Sequence, residues 1–572
     1  MIKALSLRRP SSVDMEAWAD RAGRIAQSGL DASLQFTSLL NVAYYRFHGG
    51  DFPATGLLID ALREMAGRPE LSPISRLNFC WLEAAYANAN GRHDHALKMV
   101  ADGLELANAT GVHLMDNLLA GHGVLSSLHK GDRKAARGFL RKMASSLATA
   151  PPWEASFYHY LAAWVSLDGE EKGQAAVHSG LCLALSEEVG NPWPEALAHL
   201  QRFFVLLEEG DPQEAAHHLS RAERMGKESG MQFVRFACLL TEAYRCIREG
   251  KEESGASFLR DGLRLGKELG FFEIYLWRPG LLEKVAAKSL EMGIETGYVR
   301  ELIRRNALVP VDVLADSGRW PWALKLQTLG TFALLKEDRP LAFSRKVQSK
   351  PLLMLKALVA LGGRNIHEEQ LTDILWPDAE GDLAHQSLAV TLRRLRTLLG
   401  NEKALSLRGS RLTLEPGYCW VDVFAFESLL ARIDDSGPVG EAFPDGTHAA
   451  ILARDAIALY KGTFLPGESS HPCFVAMRER LRSKFLRVAG LLGRGMEREG
   501  RWAEAVDCYR KVLEVDDLAE EFYQRLMICH HQTGQPAEAM AVYHRCKETL
   551  SAALGVASSP ETDQIARGIF RA

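Results

Sequence analysis

The chain has 572 residues, enough for three or four domains of about 150 residues each. Hydrophobic residues make up 47% and charged residues 24%, an ordinary balance that excludes a disordered or a collagen-like chain. With 68 Lys and Arg against 72 Asp and Glu, the net charge of −4 excludes a protein that coats nucleic acid along its whole length, but it allows one local basic module.

Signals for export and for membrane insertion are missing from the sequence. No stretch reaches the roughly 18 consecutive apolar residues of a membrane-spanning helix, and no apolar run follows Arg8 and Arg9 near the start. The nine cysteines are scattered and never spaced C-x-x-C, which favours a reducing compartment over a disulfide framework or a zinc site. We therefore expect a cytoplasmic protein without membrane contact and without a metal.

The first half of the chain repeats with a period of about 40 residues. Turns of glycine and a polar residue recur at intervals of 38 to 41 residues, at Gly50, Gly91, Gly131, Gly169, Gly210 and Gly250. After most of them comes an alanine, whose small side chain lets two helices approach closely: Ala96, Ala135, Ala175 and Ala215. Because one helix pair cannot bury its apolar face alone, we expect stacked pairs to form a superhelix with a concave surface over about residues 30–305.

The predicted superhelix contains five tryptophans, Trp81, Trp153, Trp164, Trp193 and Trp277. An aromatic side chain on a repeat helix more often packs in the core than forms a ligand platform. We therefore expect these rings in the core and assign no binding residue to the repeats from the sequence.

Near Trp320 the hydrophobic period changes to two, which indicates β-strands. Residues 324–334 alternate on either side of Gly330. Residues 337–340 are expected to form a turn and residues 341–343 a short returning strand.

Three helical segments and a hairpin come next. The helices are expected after Ser349-Lys350-Pro351 up to Gly362, at about residues 367–375, and from Asp382 as N-cap to Leu399. Strands at 405–408 and 411–415 flank the two-residue link Gly409-Ser410, which suits a tight hairpin. Strands, three helices and a hairpin are the layout of a winged helix-turn-helix.

The third of these helices has two contrasting faces. Leucines share the face that must be core: Leu388, Leu392, Leu395 and Leu399. The opposite face combines arginine, amide, hydroxyl and small apolar groups: Gln386, Val390, Arg393, Arg394 and Thr397. Such side chains recognise base edges in a major groove, since Arg pairs with guanine, Gln with adenine, and an apolar group with the thymine methyl.

Further cations flank this helix and suit contacts to phosphate: Arg345, Lys346 and Lys350 before the first helix, Arg408 and Arg411 on the hairpin. Residues 322–423 hold 14 Lys and Arg against 11 Asp and Glu, a net charge of +3 inside an acidic chain. The alternative is that the arginines of the third helix form only the solvated face of an amphipathic helix. The surrounding strand-helix-hairpin layout favours DNA recognition.

The last part of the chain returns to helices. Residues 431–449, rich in Gly, Pro and Asp, are expected to form a loop. A period of 34 residues follows, relating Gly500 to Gly534, Ala505 to Ala539 and Tyr509 to Tyr543. Small and large residues that recur together at this interval are typical of tetratricopeptide repeats.

The segment from about Trp322 to Ala572 resembles bacterial transcription activators of the antibiotic-regulatory-protein type. The motifs that carry the resemblance are LWPDA at 375–379, LRRLR at 392–396, WVDVFAFE at 420–427, LYKGTFLPG at 459–467, LGV at 554–556 and SPET at 559–562. Its last part is similar to the bacterial transcriptional activator domain. The N-terminal repeats resemble the helical sensor repeats of maltose-regulon-activator-type regulators in architecture.

The resemblance implies an activator that binds DNA near promoters, often on direct repeats, and contacts RNA polymerase. It implies that the third winged-helix helix recognises DNA, and that the loop 376–381 turns towards polymerase, with Asp378 and Glu380 as candidate contacts. A plain solvated turn is the alternative for this loop. The N-terminal repeats are expected to bind a small-molecule or protein effector, and the sequence leaves a homo-oligomer open.

The sequence departs from larger relatives that carry an ATPase domain before their repeats. G-x-x-x-x-G-K-[ST] is absent, because Gly226-Lys227 and Gly266-Lys267 are each followed by glutamate. We expect no ATP-driven switch and no cofactor in this chain, while an ATPase-bearing partner or a longer parent chain stays open. No G-x-S-x-G, H-E-x-x-H or EF-hand motif is present, so we expect no enzyme.

These observations predict a mainly α protein with three domains: a tetratricopeptide-like helical superhelix at 1–315, a winged helix-turn-helix with small β-sheets at 322–423, and a tetratricopeptide-like activator domain at 424–572. The predicted function is a sequence-specific DNA-binding transcription activator. The alternative is a tetratricopeptide scaffold for protein assembly, in which the winged helix docks protein. Salt-dependent binding to DNA separates the two.

Overall fold

A computed structural model of the chain describes residues 14–27, 31–273, 280–310, 319–341, 349–378, 381–435, 442–444, 446–468 and 471–571. The chain divides into two compact units, Met1–Val311 and Asp312–Ala572. The described helices include none that is long and apolar enough to cross a membrane.

The first unit consists of helices, which pack in antiparallel neighbours along the chain. In its described residues they are α1 (Asp14–Gln27), α2 (Ala32–Gly49), α3 (Phe52–Met65), α4 (Pro73–Ala89), α5 (His93–Thr110), α6 (Asp116–His129), α7 (Arg133–Ala144), α8 (Pro152–Asp168), α9 (Lys172–Val189), α10 (Pro192–Glu209), α11 (Pro212–Glu228), α12 (Gln232–Arg248), α13 (Glu252–Leu269), α14 (Leu281–Glu291) and α15 (Thr296–Arg305). The predicted superhelix of helix pairs is confirmed from α2 onward. Helix α1, which the repeat pattern did not assign, packs on α2 through an ion pair between Glu16 and Arg46.

The turns set the register of the helix pairs. The left-handed residue of each turn is a glycine at Gly91 and Gly131, but in the fourth turn it is Glu170 rather than Gly169. Counting five residues on from each left-handed residue reaches a fully buried small side chain at the contact between the two helices, at Ala96, Ala136, Ala175 and Ala215. The expectation for Ala135 is therefore wrong by one position, because a shift of one residue on a helix rotates a side chain by about 100°.

The second unit begins with the winged helix. Its described strands are β1 (Leu324–Gln327), β2 (Ala333–Lys336), β3 (Arg339–Pro340), β4 (Ile366–His367), β5 (Leu405–Arg408), β6 (Arg411–Leu414) and β7 (Cys419–Val421), and its helices are α16 (Ser349–Ala360), α17 (Glu368–Leu375) and α18 (Gly381–Leu399). One sheet has the order β3-β2-β1-β7, with β7 parallel to β1, and the other has the order β4-β6-β5. The predicted layout is confirmed, and β4 is a strand that the sequence pattern did not reveal.

Two local expectations in the winged helix are wrong. The turn between β2 and β3 comprises only Glu337 and Asp338, both with positive φ, because a two-residue turn of this type matches the twist of the paired strands. Leu341 still donates its N–H to Leu334, while Phe343 lies outside the described residues. Helix α18 already includes Gly381, so Asp382 lies within the helix instead of capping it.

The rest of the second unit is helical, with α19 (Asp422–Asp435), α20 (His448–Leu459), α21 (Pro472–Arg498), α22 (Trp502–Val515), α23 (Glu520–Gln532), α24 (Pro536–Leu554) and α25 (Pro560–Arg571). Helices enclose much of the predicted loop 431–449, because Ile433 is fully buried in α19 and Thr447 caps α20. Residues 436–441 and 445 lie outside the described part. The 34-residue period places Tyr509 of α22 against Gly493 of α21, as expected for tetratricopeptide-like packing.

Candidate nucleic-acid interface

Helix α18 presents the two faces that its sequence predicts. The four leucines are at most 5% exposed and join the hydrophobic core of the second unit: Leu388, Leu392, Leu395 and Leu399. The five polar and small apolar side chains of the opposite face are all exposed: Gln386, Val390, Arg393, Arg394 and Thr397. We call these five residues the outer face of α18.

The arginines of the outer face are available to a ligand. Arg393 and Arg394 form no ion pair with any residue that the structure describes, and Thr397 donates its hydroxyl to the Arg393 carbonyl at 3.0 Å. Arg396 differs from them, because it is half-buried and its Nη2 lies 3.4 Å from the Leu405 carbonyl. Arg396 therefore supports the start of β5, while the other two arginines extend into solvent.

The hairpin next to α18 carries two arginines at its tip. Arg408 and Arg411 are exposed and lie directly opposite each other in the β5–β6 register, flanking Gly409 and Ser410, which both have positive φ. Like charges in opposed positions destabilise a β-hairpin by about 0.2–1 kcal/mol. A polyanion such as the phosphate backbone would remove this repulsion.

The remaining candidates are placed less favourably or lie outside the description. Lys350 donates its ammonium to the Leu375 carbonyl, and its Nζ lies 5.5 Å from the centroid of the Trp376 ring. Asp378 is exposed in the loop after α17. The other three candidates, Arg345, Lys346 and Glu380, lie outside the described residues.

The sequence reasoning missed one polar group beside the hairpin. His367 is exposed and pairs with Arg411 in the register of β4 and β6, so it lies next to the arginine pair. It also precedes α17, where the Gln370 side chain accepts from the His367 N–H at 3.2 Å. A capping signal at His367 was visible in the sequence, but its neighbour in the sheet was not.

A buried carboxylate joins the winged helix to the helices that follow it. Asp422, at the start of α19, is 5% exposed. Its carboxylate accepts hydrogen bonds from the Thr328 N–H at 2.7 Å, the Thr328 hydroxyl at 2.6 Å and the Leu329 N–H at 2.9 Å. Burial raises the pKa of Asp422, and these hydrogen bonds oppose that rise.

A second contact fixes the same junction. Leu465 donates its N–H to the Thr328 carbonyl at 2.8 Å, and Leu329 forms a β-bridge with Phe464. Arg478 of α21 holds this segment by donating to the carbonyls of Phe464 and Leu465 at 2.9 and 2.8 Å. Residues from two of the motifs that carry the sequence resemblance, 420–427 and 459–467, therefore meet at the end of β1.

Comparison with known proteins agrees with this architecture. Residues 421–570 match the bacterial transcriptional activator domain. The chain is 27% identical over 221 residues to the regulatory protein AfsR of Streptomyces griseus, covering 38% of this chain and 22% of that protein. It is 27% identical over 252 residues to AfsR of Streptomyces coelicolor, covering 44% of this chain and 24% of that protein. The chain thus spans less than a quarter of the length of these curated relatives.

A solved structure of EmbR from Mycobacterium tuberculosis, in complex with a low-affinity phosphopeptide, is also similar. It is 18% identical and matches 44% of this chain and 65% of its own, with a TM-score of 0.32. The matches to the activator domain and to AfsR confirm the resemblance to activators of the antibiotic-regulatory-protein type. The chain is therefore related to bacterial transcription regulators.

Proposed function

We propose that this protein is a sequence-specific DNA-binding transcription activator. The observation that carries the proposal is the outer face of α18, which is exposed, rich in unpaired arginine and backed by a row of buried leucines. An ordinary solvated helix face has no need for a large apolar side chain, yet Val390 is 52% exposed in the middle of this one. The match to the bacterial transcriptional activator domain supports the same function.

The proposed mode of binding inserts α18 into the major groove. Arg393 and Arg394 would each form bidentate hydrogen bonds to guanine, Gln386 would pair with adenine, and Val390 would contact a thymine methyl. Arg408 and Arg411 at the hairpin tip would contact phosphates, which fix the position of the protein without discriminating sequence. The contacts at Asp422 connect this domain to the following helices.

The other parts of the chain receive roles that rest on the resemblance. We propose that the loop with Asp378 and Glu380 contacts RNA polymerase, together with the C-terminal repeats, and that the N-terminal repeats bind an effector. The proposed domains remain those predicted from the sequence, at 1–315, 322–423 and 424–572. The compact units and the residues matched to the activator domain agree with a division near these limits.

The function is tested by selecting duplexes from a random library with the purified full-length chain. We expect an enriched sequence motif and an affinity that falls steeply with salt, with a slope of about −0.9 for each phosphate contacted in a log–log plot. A scaffold whose winged helix docks protein predicts no enriched motif and little binding at any salt. That result would refute DNA recognition.

The recognition surface is tested by single substitutions on the selected duplex. Arg393→Ala and Arg394→Ala should each cost about 1–3 kcal/mol and relax the preference at one base pair. Arg408→Ala should weaken binding to all sequences equally and reduce the salt slope by about 1. Arg545→Ala removes an equally exposed arginine from α24 and serves as the control, with no change expected. Unchanged specific binding by the first two variants, with the fold intact, contradicts the assignment of the outer face.

A further inference from the structure

The first unit contains a cavity that the repeat pattern does not announce. It has a volume of about 680 Å³, within the range of sites that hold small molecules. The first helices of five successive pairs line it, through Tyr44 of α2, Trp81 of α4, His122 of α6, Phe157 of α8 and Trp193 of α10. The superhelical arrangement of the pairs therefore brings these helices to one place.

Aromatic rings dominate the wall of this cavity. Tyr44 and Trp81 are stacked, with ring centroids 5.0 Å apart. His122 meets the edge or face of Trp81 at 5.7 Å, and His48 meets Trp193 at 5.6 Å. Such a wall offers flat apolar surfaces and ring edges, which favour another aromatic ring as the occupant.

The described residues that line the cavity include no Asp, Glu, Lys or Arg. Burial lowers the pKa of His122 to about 3, so this ring is neutral at pH 7. The indole N–H of Trp81 is buried and has no acceptor among the described residues, so it can donate to a ligand oxygen. The wall therefore suits an uncharged ligand, because an ion would lose its hydration there without gaining a counter-charge.

The tryptophans differ from the expectation that all of them pack in the core. Trp164 is fully buried, as expected, and Trp277 lies outside the described residues. Trp81 and Trp193 are half-buried in the cavity wall, and Trp153, which also lines it, is 43% exposed. Leu114 is another lining residue and is 75% exposed, so two large apolar side chains remain open to solvent at this site.

We propose that this cavity binds an uncharged, largely apolar small molecule that contains an aromatic ring system. The ligand places its rings against the stacked Tyr44 and Trp81 and covers Leu114 and Trp153, which removes exposed apolar surface from water. The further claim that this ligand is the effector rests on the proposed function. Binding itself does not depend on DNA.

The proposal is tested with the full-length chain and N-phenyl-1-naphthylamine, a neutral aromatic dye that fluoresces on leaving water. We expect saturable binding to one site, with energy transfer from the tryptophans of the wall. The competitors are 2-naphthalenemethanol and 2-naphthoate, which share the ring system and differ in charge. The neutral alcohol should displace the dye at a concentration at least about tenfold lower, because the carboxylate pays for desolvation.

A pair of matched variants locates the site. Leu114→Asp places a carboxylate at the cavity and should weaken dye binding about fivefold or more. Leu57→Asp is the control, because Leu57 is also 75% exposed but lies on α3 and does not line the cavity. Circular dichroism of both variants confirms that the helices are retained.

Four outcomes overturn the proposal: no saturable binding, equal displacement by 2-naphthoate, equal weakening by Leu57→Asp, or displacement by 1-decanol alone, which would indicate an acyl chain. If the dye fails to bind while the selected duplex still binds, the ligand site falls and DNA recognition stands. If the dye binds as expected and no duplex is selected, the site stands and only its role as an effector site falls.

Discussion

Asp422→Ala removes the carboxylate that joins the winged helix to the following helices. In the structure this carboxylate accepts three hydrogen bonds from Thr328 and Leu329, and all of these groups are buried. The substitution leaves two backbone N–H groups and one hydroxyl without an acceptor at the end of β1. It also relieves the cost of burying the carboxylate, which is the cause of its raised pKa.

The magnitude follows from these opposing contributions. Each buried donor left without a partner costs about 1–3 kcal/mol, and the relief of carboxylate burial returns part of that sum. We expect the junction to lose about 3 kcal/mol, which corresponds to a local opening equilibrium raised about 100-fold. Asp422→Asn keeps one acceptor oxygen and should produce a smaller loss.

Hydrogen exchange of the full-length chain measures this opening directly. Amides of peptides that cover residues 324–330 and 460–467 should exchange about 100-fold faster in Asp422→Ala, while the core of the N-terminal repeats should keep its rates. Asp455→Ala is the control, since Asp455 is exposed on α20. Exchange rates in both peptides that match the unsubstituted protein would refute the role assigned to Asp422.

Two further predictions concern packing and pH. Gly493 lies so close to Tyr509 that an added Cβ would stand 2.2 Å from the ring. Gly493→Ala should therefore lower the free energy of unfolding in urea by about 1–3 kcal/mol, whereas Gly568→Ala, in open space on α25, should raise it by about 0.5–1 kcal/mol. His122 has its pKa lowered by burial from 6.5 to about 3, so below pH 6.5 the unfolded chain takes up a proton that the folded chain does not. Stability should fall by about 2 kcal/mol from this residue between pH 6.5 and pH 5. Thermal unfolding at both pH values measures this fall; an equal fall in His122→Gln would contradict it.

Local patterns in the sequence were sufficient for the elements of the winged helix. The spacing of Leu388, Leu392 and Leu395 defines one buried stripe on α18, and the opposite face is exposed as that spacing requires. The Gly409-Ser410 link likewise predicted the hairpin, because few residues adopt positive φ at both positions of a tight turn. The short strands failed where pairing depends on a distant partner, as for β4, whose partner β6 lies more than 40 residues later.

The sequence by itself determined the helical repeats, the winged helix and the orientation of α18, because each depends on periodicity or turn chemistry within a few residues. Only the tertiary structure decided that Asp422 meets Thr328, 94 residues earlier, and that five helix pairs surround an aromatic cavity. Periodicity tells which stripe of a helix is apolar. Whether that stripe meets core or encloses a cavity depends on how successive pairs rotate against each other, and that rotation arises from contacts between pairs.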